Sequence, residues 1–262
     1  MRLGVWEHTP RESLREIGLA EGERQANAGY LGRLVAMSVS ELSVSTQNYL
    51  KVIWGLEEWS QEPVTASEIA QKTGLKMSSV SDAVRKLAGQ GLLNHQRYGA
   101  VELTVQGREF AVQMVRRHRL LETFLVNVLG YDWEKIHDEA ENLEHAVSDF
   151  FVARLDELLG HPERDPHGDP IPNAQGVVDI PEAQPLTLML PGARVRVERI
   201  SDEDAQLLAF FSERGITPGA VLTLGTPEPF SDALAVFVEG SKEPVSLGDR
   251  AGSALYVASV ED

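Results

Sequence analysis

From about Ser45 apolar residues recur at helical spacing, and Tyr49, Ile53, Trp54 and Leu56 form one stripe. The spacing predicts a first helix there. Residues 64–75, VTASEIAQKTGL, read as a short second helix: Thr65 and Glu68 have capping-box spacing, and Gly74 supplies the stop. MSSVSDAVRKLAGQGLL reads as a third, opened by Ser78 or Ser79 and ended by Gly89 and Gly91. The pattern then shortens to strands. Residues 92–96 and 101–105 read as two short strands joined at Tyr98 and Gly99. Helix, turn, helix and hairpin is the winged helix-turn-helix order.

Two long helical stretches follow, REFAVQMVRRHRLLETFLVNVLG and WEKIHDEAENLEHAVSDFFVARLDELLG. In the second, Ile136, Ala140, Leu143, Val147, Phe150 and Leu158 form an apolar stripe. Residues 161–191 are rich in Pro, Gly and Asp and read as a linker. Beyond Ala193 the runs ARVRVERI, AVLTLG, ALAVFVEG, EPVSL and ALYVASV surround one helical stretch, which predicts a small SH3-like β-barrel. The fold class is therefore mainly α with a small β part. The predicted organisation is a poorly ordered extension (1–36), a winged helix-turn-helix domain (37–110), a helical domain (111–160), a Pro-rich linker (161–191) and an SH3-like domain (192–262). Met37 is a second candidate start.

Composition narrows the function. The chain has no Cys, which excludes a disulfide framework, a thiolate metal site and a Cys nucleophile. No apolar run approaches the ~20 residues of a membrane span, and the first residues lack the apolar core of a signal peptide. A cytoplasmic protein without membrane attachment is expected. The formal net charge is −16, which argues against a polybasic packer of nucleic acid. The charge is unevenly spread. Residues 44–117 are net +2, whereas residues 118–182 are net −11 and hold five of the seven His.

The weakly basic segment is the predicted winged helix. Its second helix would enter the major groove by its N-terminal end, where Lys76, Met77, Ser78, Ser79 and Ser81 lie. Arg85 and Lys86 would meet phosphates, and the wing adds His95, Arg97 and Tyr98. Residue by residue, a helix cap or a solvated face explains the pattern as well. Element order, spacing and local charge together favour DNA binding.

The acidic segment places His137, Glu141, Glu144 and His145 at i, i+4, i+7 and i+8, along one face of a helix. His118 and Glu122 are an i, i+4 pair on the preceding helix. If the two helices pack antiparallel, six N and O ligands converge, the type that Mn²⁺ prefers and Fe²⁺ tolerates. Pairing of each His with a carboxylate on a wet surface is the alternative. A metal-dependent hydrolase fused to a DNA-binding domain would need a further acid–base pair, and none is evident.

VRRHRLLETFLVNVLGY followed by IHDEAENLEHAVSD closely resembles the diphtheria-toxin-repressor family of metal-dependent transcriptional regulators. The likeness runs from about Leu42 to the C-terminus. With DPHGDPIP it is most similar to the actinobacterial manganese-responsive branch. The resemblance implies a homodimeric repressor of metal-homeostasis genes, with the helical domain binding metal and dimerising, on a palindromic double-stranded DNA operator. Mn²⁺ would be the corepressor, Fe²⁺ the runner-up, and Co²⁺, Zn²⁺ or Cd²⁺ substitutes in vitro. It implies a primary site of Asn48, Glu141, Glu144 and His145. An accessory site would use His118, Glu122 and His137, completed from residues 198–204, with Glu198 and Asp202 nearest. Lys76, Ser78 and Ser79 would read DNA.

Three positions differ within the family. Iron-type members carry Cys where this chain has Glu141 and Met where it has Asn48, so Glu141 points to manganese. Manganese-type members usually carry Asp at the Asn48 position, so the amide here implies a weaker primary site. Lys51 stands where small two-metal members have a carboxylate ligand. A winged-helix regulator that senses an organic ligand is the competing reading.

Overall fold

The computed structural model describes residues 38–60, 62–95, 99–226 and 233–260. The expected extension (1–36) and the wing residues Arg97 and Tyr98 lie outside these. Helix α1 (Val44–Trp59) is capped by Ser43, whose hydroxyl accepts from the Thr46 N–H. It buries Tyr49, Leu50, Ile53 and Trp54. Helix α2 (Ala66–Thr73) carries the full Thr65/Glu68 capping box and stops at Gly74, whose φ of 66° suits a residue without Cβ. Helix α3 (Met77–Gly89) starts from Lys76, not from Ser78 or Ser79, and no side chain caps it. Strands β1 (Leu93–His95) and β2 (Val101–Leu103) pair antiparallel as the wing.

Helix α4 (Val105–Asn127) is the spine. At ~1.5 Å per residue it is about 35 Å long, enough to serve two cores. Its first half, Phe110 to Val115, packs with Leu50, Ile53, Ile69 and Val84. Its second half, Leu120 to Leu125, packs with Ile136, Ala140, Val152 and Leu155.

The predicted single helix over 133–160 is two. Helix α5 (Ile136–Glu144) ends at His145, and α6 (Asp149–Leu158) restarts at Ser148, whose hydroxyl accepts from the Phe151 N–H. A local Ser cap thus outweighs the continuing apolar period. The break matters for the apolar stripe. Leu121, Leu125 and Ile136 are buried inside the protomer, while Phe150 is 77% and Leu158 66% exposed.

Beyond the connector, β3 (Gln184–Pro185), β4 (Arg194–Ile200), β5 (Val221–Leu224), β6 (Leu234–Val238), β7 (Val245–Leu247) and β8 (Leu255–Ser259) form one antiparallel sheet. Helices α7 (Ala205–Ser212) and α8 (Asp249–Ser253) accompany it. Strand order is β3-β8-β4-β5-β6-β7. Among the described residues the two edge strands do not pair, so the expected barrel is an open SH3-like sheet with its own core.

The connector is packed over half its length. Ile171 joins the helical core, and Arg116 and Arg119 donate to the carbonyls of Pro172 and Pro170. Gly168, at φ 88°, sits so close to β4 that a Cβ would stand 2.0 Å from the Glu198 carbonyl. The seam with the C-terminal domain is polar. Arg199 bonds Asp169 at 2.6 Å, pairs with Glu58 at 3.1 Å and stacks over Trp59. Arg119 completes this buried ion network against Glu58.

Candidate metal centre and DNA-reading surface

The metal-ligand residue types come from α1, α4, α5, the connector and the turn that follows β4. On α1, Asn48 Oδ1 is buried and makes no hydrogen bond. His145, just past α5, bonds Gln47 Oε1 through Nδ1 at 2.7 Å, and its Nε2 makes no hydrogen bond but stands 3.5 Å from Glu144. Glu144 is fully buried. One oxygen meets His118 Nδ1 at 2.6 Å and the other takes the Lys51 ammonium at 2.6 Å. Lys51 also reaches Glu141 at 3.0 Å. Burial pulls the Lys51 pKa down, but Glu144 and Glu141 outweigh it and raise it overall. Ligand atoms of His118, Glu141 and Glu144 lie within 4.8 Å of one another, the Lys51 ammonium bridges the two glutamates, and of the other candidate primary residues His145 Nε2 stands 3.5 Å from Glu144.

The second cluster brings ligand atoms of His118, Glu122, His137 and Asp202 within 4.8 Å of one another. His118 Nε2 lies 3.1 Å and His137 Nδ1 3.6 Å from the Glu122 carboxylate, and His137 Nδ1 lies 2.9 Å from Asp202. Burial alone would raise the Glu122 pKa, yet His118, His137 and His167 around it lower it well below the usual range. Glu198, expected beside Asp202, is not brought to the cluster. It projects to the same side of β4 as Arg196 and pairs with that guanidinium at 2.7 Å.

The connector contributes a group that the sequence reading did not assign. Asp165, His167 and Glu122 place ligand atoms within 4.8 Å of one another, all buried. His167 Nε2 bonds the Trp133 carbonyl at 3.0 Å. A carbonyl can only accept, so Nε2 carries a hydrogen, and Nδ1 faces the Glu122 carboxylate at 3.9 Å. The alternation of Asp165, His167 and Asp169 in DPHGDP was the available signal.

Whether these residues suit a cation is tested by their unmet bonding. Among the described residues, Asn48 Oδ1, His145 Nε2 and His167 Nδ1 are buried without a hydrogen bond, while His118 Nε2, His137 Nδ1 and the Glu122 oxygens are buried facing only one another and Asp202, none in good hydrogen-bond geometry. Such atoms are costly to bury unpaired. Every one is a donor atom that a hard or borderline divalent cation accepts, so the set fits.

Charge makes a pH prediction. The carboxylates of Asp202 and Glu122 push the His137 pKa up to about 10. A raised folded pKa stabilises fully below the ordinary His value and loses that contribution as pH rises through the folded one. The melting temperature of metal-free protein should therefore fall as pH goes from 7 to 10. A cation ligated by His137 needs the neutral ring, and the His118 pKa beside it is raised as well, so binding near pH 7 should release at least one proton per accessory site. Calorimetric titration in buffers of different protonation heat measures it; no buffer dependence would refute it.

On the reading surface, Lys76, Ser78, Ser79, Arg85 and Lys86 are exposed, opposite the buried Val80, Val84 and Leu87. Ser81 is half-buried and spends its hydroxyl on the Met77 carbonyl. Arg85 pairs with Asp82 at 2.9 Å.

Comparison with known proteins fits this geometry. Residues 41–101 match the iron dependent repressor N-terminal DNA binding domain. Residues 104–173 match the iron dependent repressor metal binding and dimerisation domain, and 184–259 match the FeoA domain. The chain is 32% identical to the iron-dependent repressor IdeR of Mycobacterium leprae, over 85% of this chain and 100% of that one. It is 33% identical to the diphtheria toxin repressor of Corynebacterium diphtheriae, over 63% of this chain and 75% of that one. A solved manganese-dependent transcriptional repressor in complex with manganese superposes with TM-score 0.78 at 49% identity, covering 82% of this chain and 100% of that one.

Proposed function

Because this chain belongs to the diphtheria-toxin-repressor family of iron-dependent repressors, we propose that it is a manganese-activated repressor of metal-homeostasis genes. It is a DNA-binding regulator, not an enzyme. The observation that carries the proposal is the convergence of buried His and carboxylate ligand atoms on α4 and α5, with the buried, unbonded Asn48 Oδ1 on α1 of the DNA-reading domain. A primary cation would be held by Asn48, Glu141, Glu144 and His145. An accessory cation would be held by His118, Glu122, His137 and Asp202, with Asp165 and His167 extending that site. Bound there, a cation supplies positive charge and fixed directions to ligands from both sides of the joint.

The residues do the rest. Asn48 lies on α1, and α1 shares a core with α3, so fixing Asn48 against α5 fixes the recognition helix against the helical domain. The exposed Phe150, Phe151 and Leu158 give α6 an apolar face for a second copy. A dimer whose two α3 helices are held at one spacing fits a palindromic operator, read by Lys76, Ser78 and Ser79 with Arg85 and Lys86 on phosphates. Ser81, already bonded to its own helix, contributes least. Manganese is favoured over iron by Glu141 and by the absence of any Cys.

The test is operator binding, on a duplex selected from random sequence, with chelator and then with Mn²⁺, Fe²⁺, Co²⁺ and Zn²⁺. Mn²⁺ should tighten binding by roughly 10- to 100-fold over chelator. Equal affinity with and without metal would remove the mechanism, and activation by Fe²⁺ but not Mn²⁺ would overturn the manganese assignment.

A further inference from the structure

Lys51 follows Asn48 by three residues, so both side chains lie on one face of α1. Its ammonium stands 3.0 Å from Glu141 and 2.6 Å from Glu144, between the two carboxylates assigned to the primary cation. The other Glu144 oxygen is occupied by His118. A cation reaching Glu144 must therefore compete for an oxygen already in use. Charge decides the contest. The two carboxylates and one ammonium sum to a single negative charge. A dication added with the ammonium in place would leave the cluster positive in a largely buried position, where like charges repel strongly. The Lys51 side chain is 14% exposed and rides on a flexible four-carbon stem, so its way out to solvent is short.

We propose that Lys51 is a tethered competitor for the primary cation: its ammonium holds Glu141 and Glu144 together in the metal-free protein, must be displaced on metal binding, and so sets the metal threshold of that site. The same contact ties α1 to α5 before metal arrives. Removing it has opposite effects on the two states. The metal-free form loses the counter-ion of two adjacent carboxylates. The metal-bound form loses a repelling charge.

The inference rests on the metal-sensor reading, and the test separates the two. Metal-stripped full-length wild type, Lys51→Met, Lys51→Gln and Lys51→Arg are titrated with Mn²⁺, free Mn²⁺ being followed by electron paramagnetic resonance. The primary class of sites is identified as the one lost in His145→Ala. Thermal melts are taken with and without Mn²⁺. Lys51→Met and Lys51→Gln should tighten the primary class by about tenfold or more and leave the accessory class unchanged. Their metal-free melting temperature should fall while the rise on adding Mn²⁺ grows. Lys51→Arg should resemble wild type. Unchanged or weaker primary binding in both neutral variants, or equal falls in both melts, would overturn the proposal. If Lys51→Met does not fold, Lys51→Gln alone decides it. Failure of the wild type itself to bind Mn²⁺ would instead sink the metal-sensor reading.

Discussion

Glu144→Gln should leave the protein unable to respond to manganese at any supply. The swap keeps the side chain's size, so packing around this fully buried position survives. What changes is the charge that three groups share. One oxygen faces Lys51 and the other faces His118, and the carboxylate is assigned to the primary cation in the metal-bound form. An amide supplies one neutral oxygen and a pair of N–H donors instead. Those donors would point at an ammonium or a ring nitrogen. Operator affinity in saturating Mn²⁺ should drop by the same factor of roughly 10 to 100 that Mn²⁺ confers, to the chelator-treated level of wild type. Fluorescence anisotropy on labelled operator reads the loss, with circular dichroism to show that the fold persists. Wild-type activation in this variant would mean that Glu144 is not a ligand.

Arg199→Ala should be the most destabilising of the substitutions considered. The guanidinium bonds Asp169, pairs with Glu58 and covers Trp59, and it is almost wholly buried. Deleting it leaves two carboxylates in the seam with only Arg119 to balance them. Removing one partner of a buried ion network typically costs about 3–5 kcal/mol, because the remaining charge stays desolvated. Chemical denaturation should show a loss of that size. A change under about 1 kcal/mol would show that water reaches the seam and solvates the carboxylates.

The winged helix was legible because its signals are local. The Thr65/Glu68 box and Gly74 specify α2 without help from the rest of the chain. The His/Glu spacings on α4 and α5 were legible for the same reason. Glu198 and Arg199 were not. In strict alternation Arg199 would share the core side with Val195 and Val197. The register against β8 shifts between Val197 and Arg199, so Ile200 takes the core position and Arg199 turns onto α1. No residue pattern announces that bulge. The break between α5 and α6 was obscured by an apolar period that continues across it. His167 was counted in the sequence, yet its role depends on where the connector folds back, which only tertiary packing decides.

The seam also bears on how freely such chains exchange parts. Matched piecewise, this chain reads as three modules strung in order. Yet Arg199 from the last module neutralises Glu58 from the first, across Asp169 of the stretch between them. A recombination event that replaced the C-terminal module with one lacking that arginine would strand an acid inside its new host. The ion network therefore acts as a compatibility mark. A swap at that boundary should cost stability unless the incoming module brings an arginine to the same place.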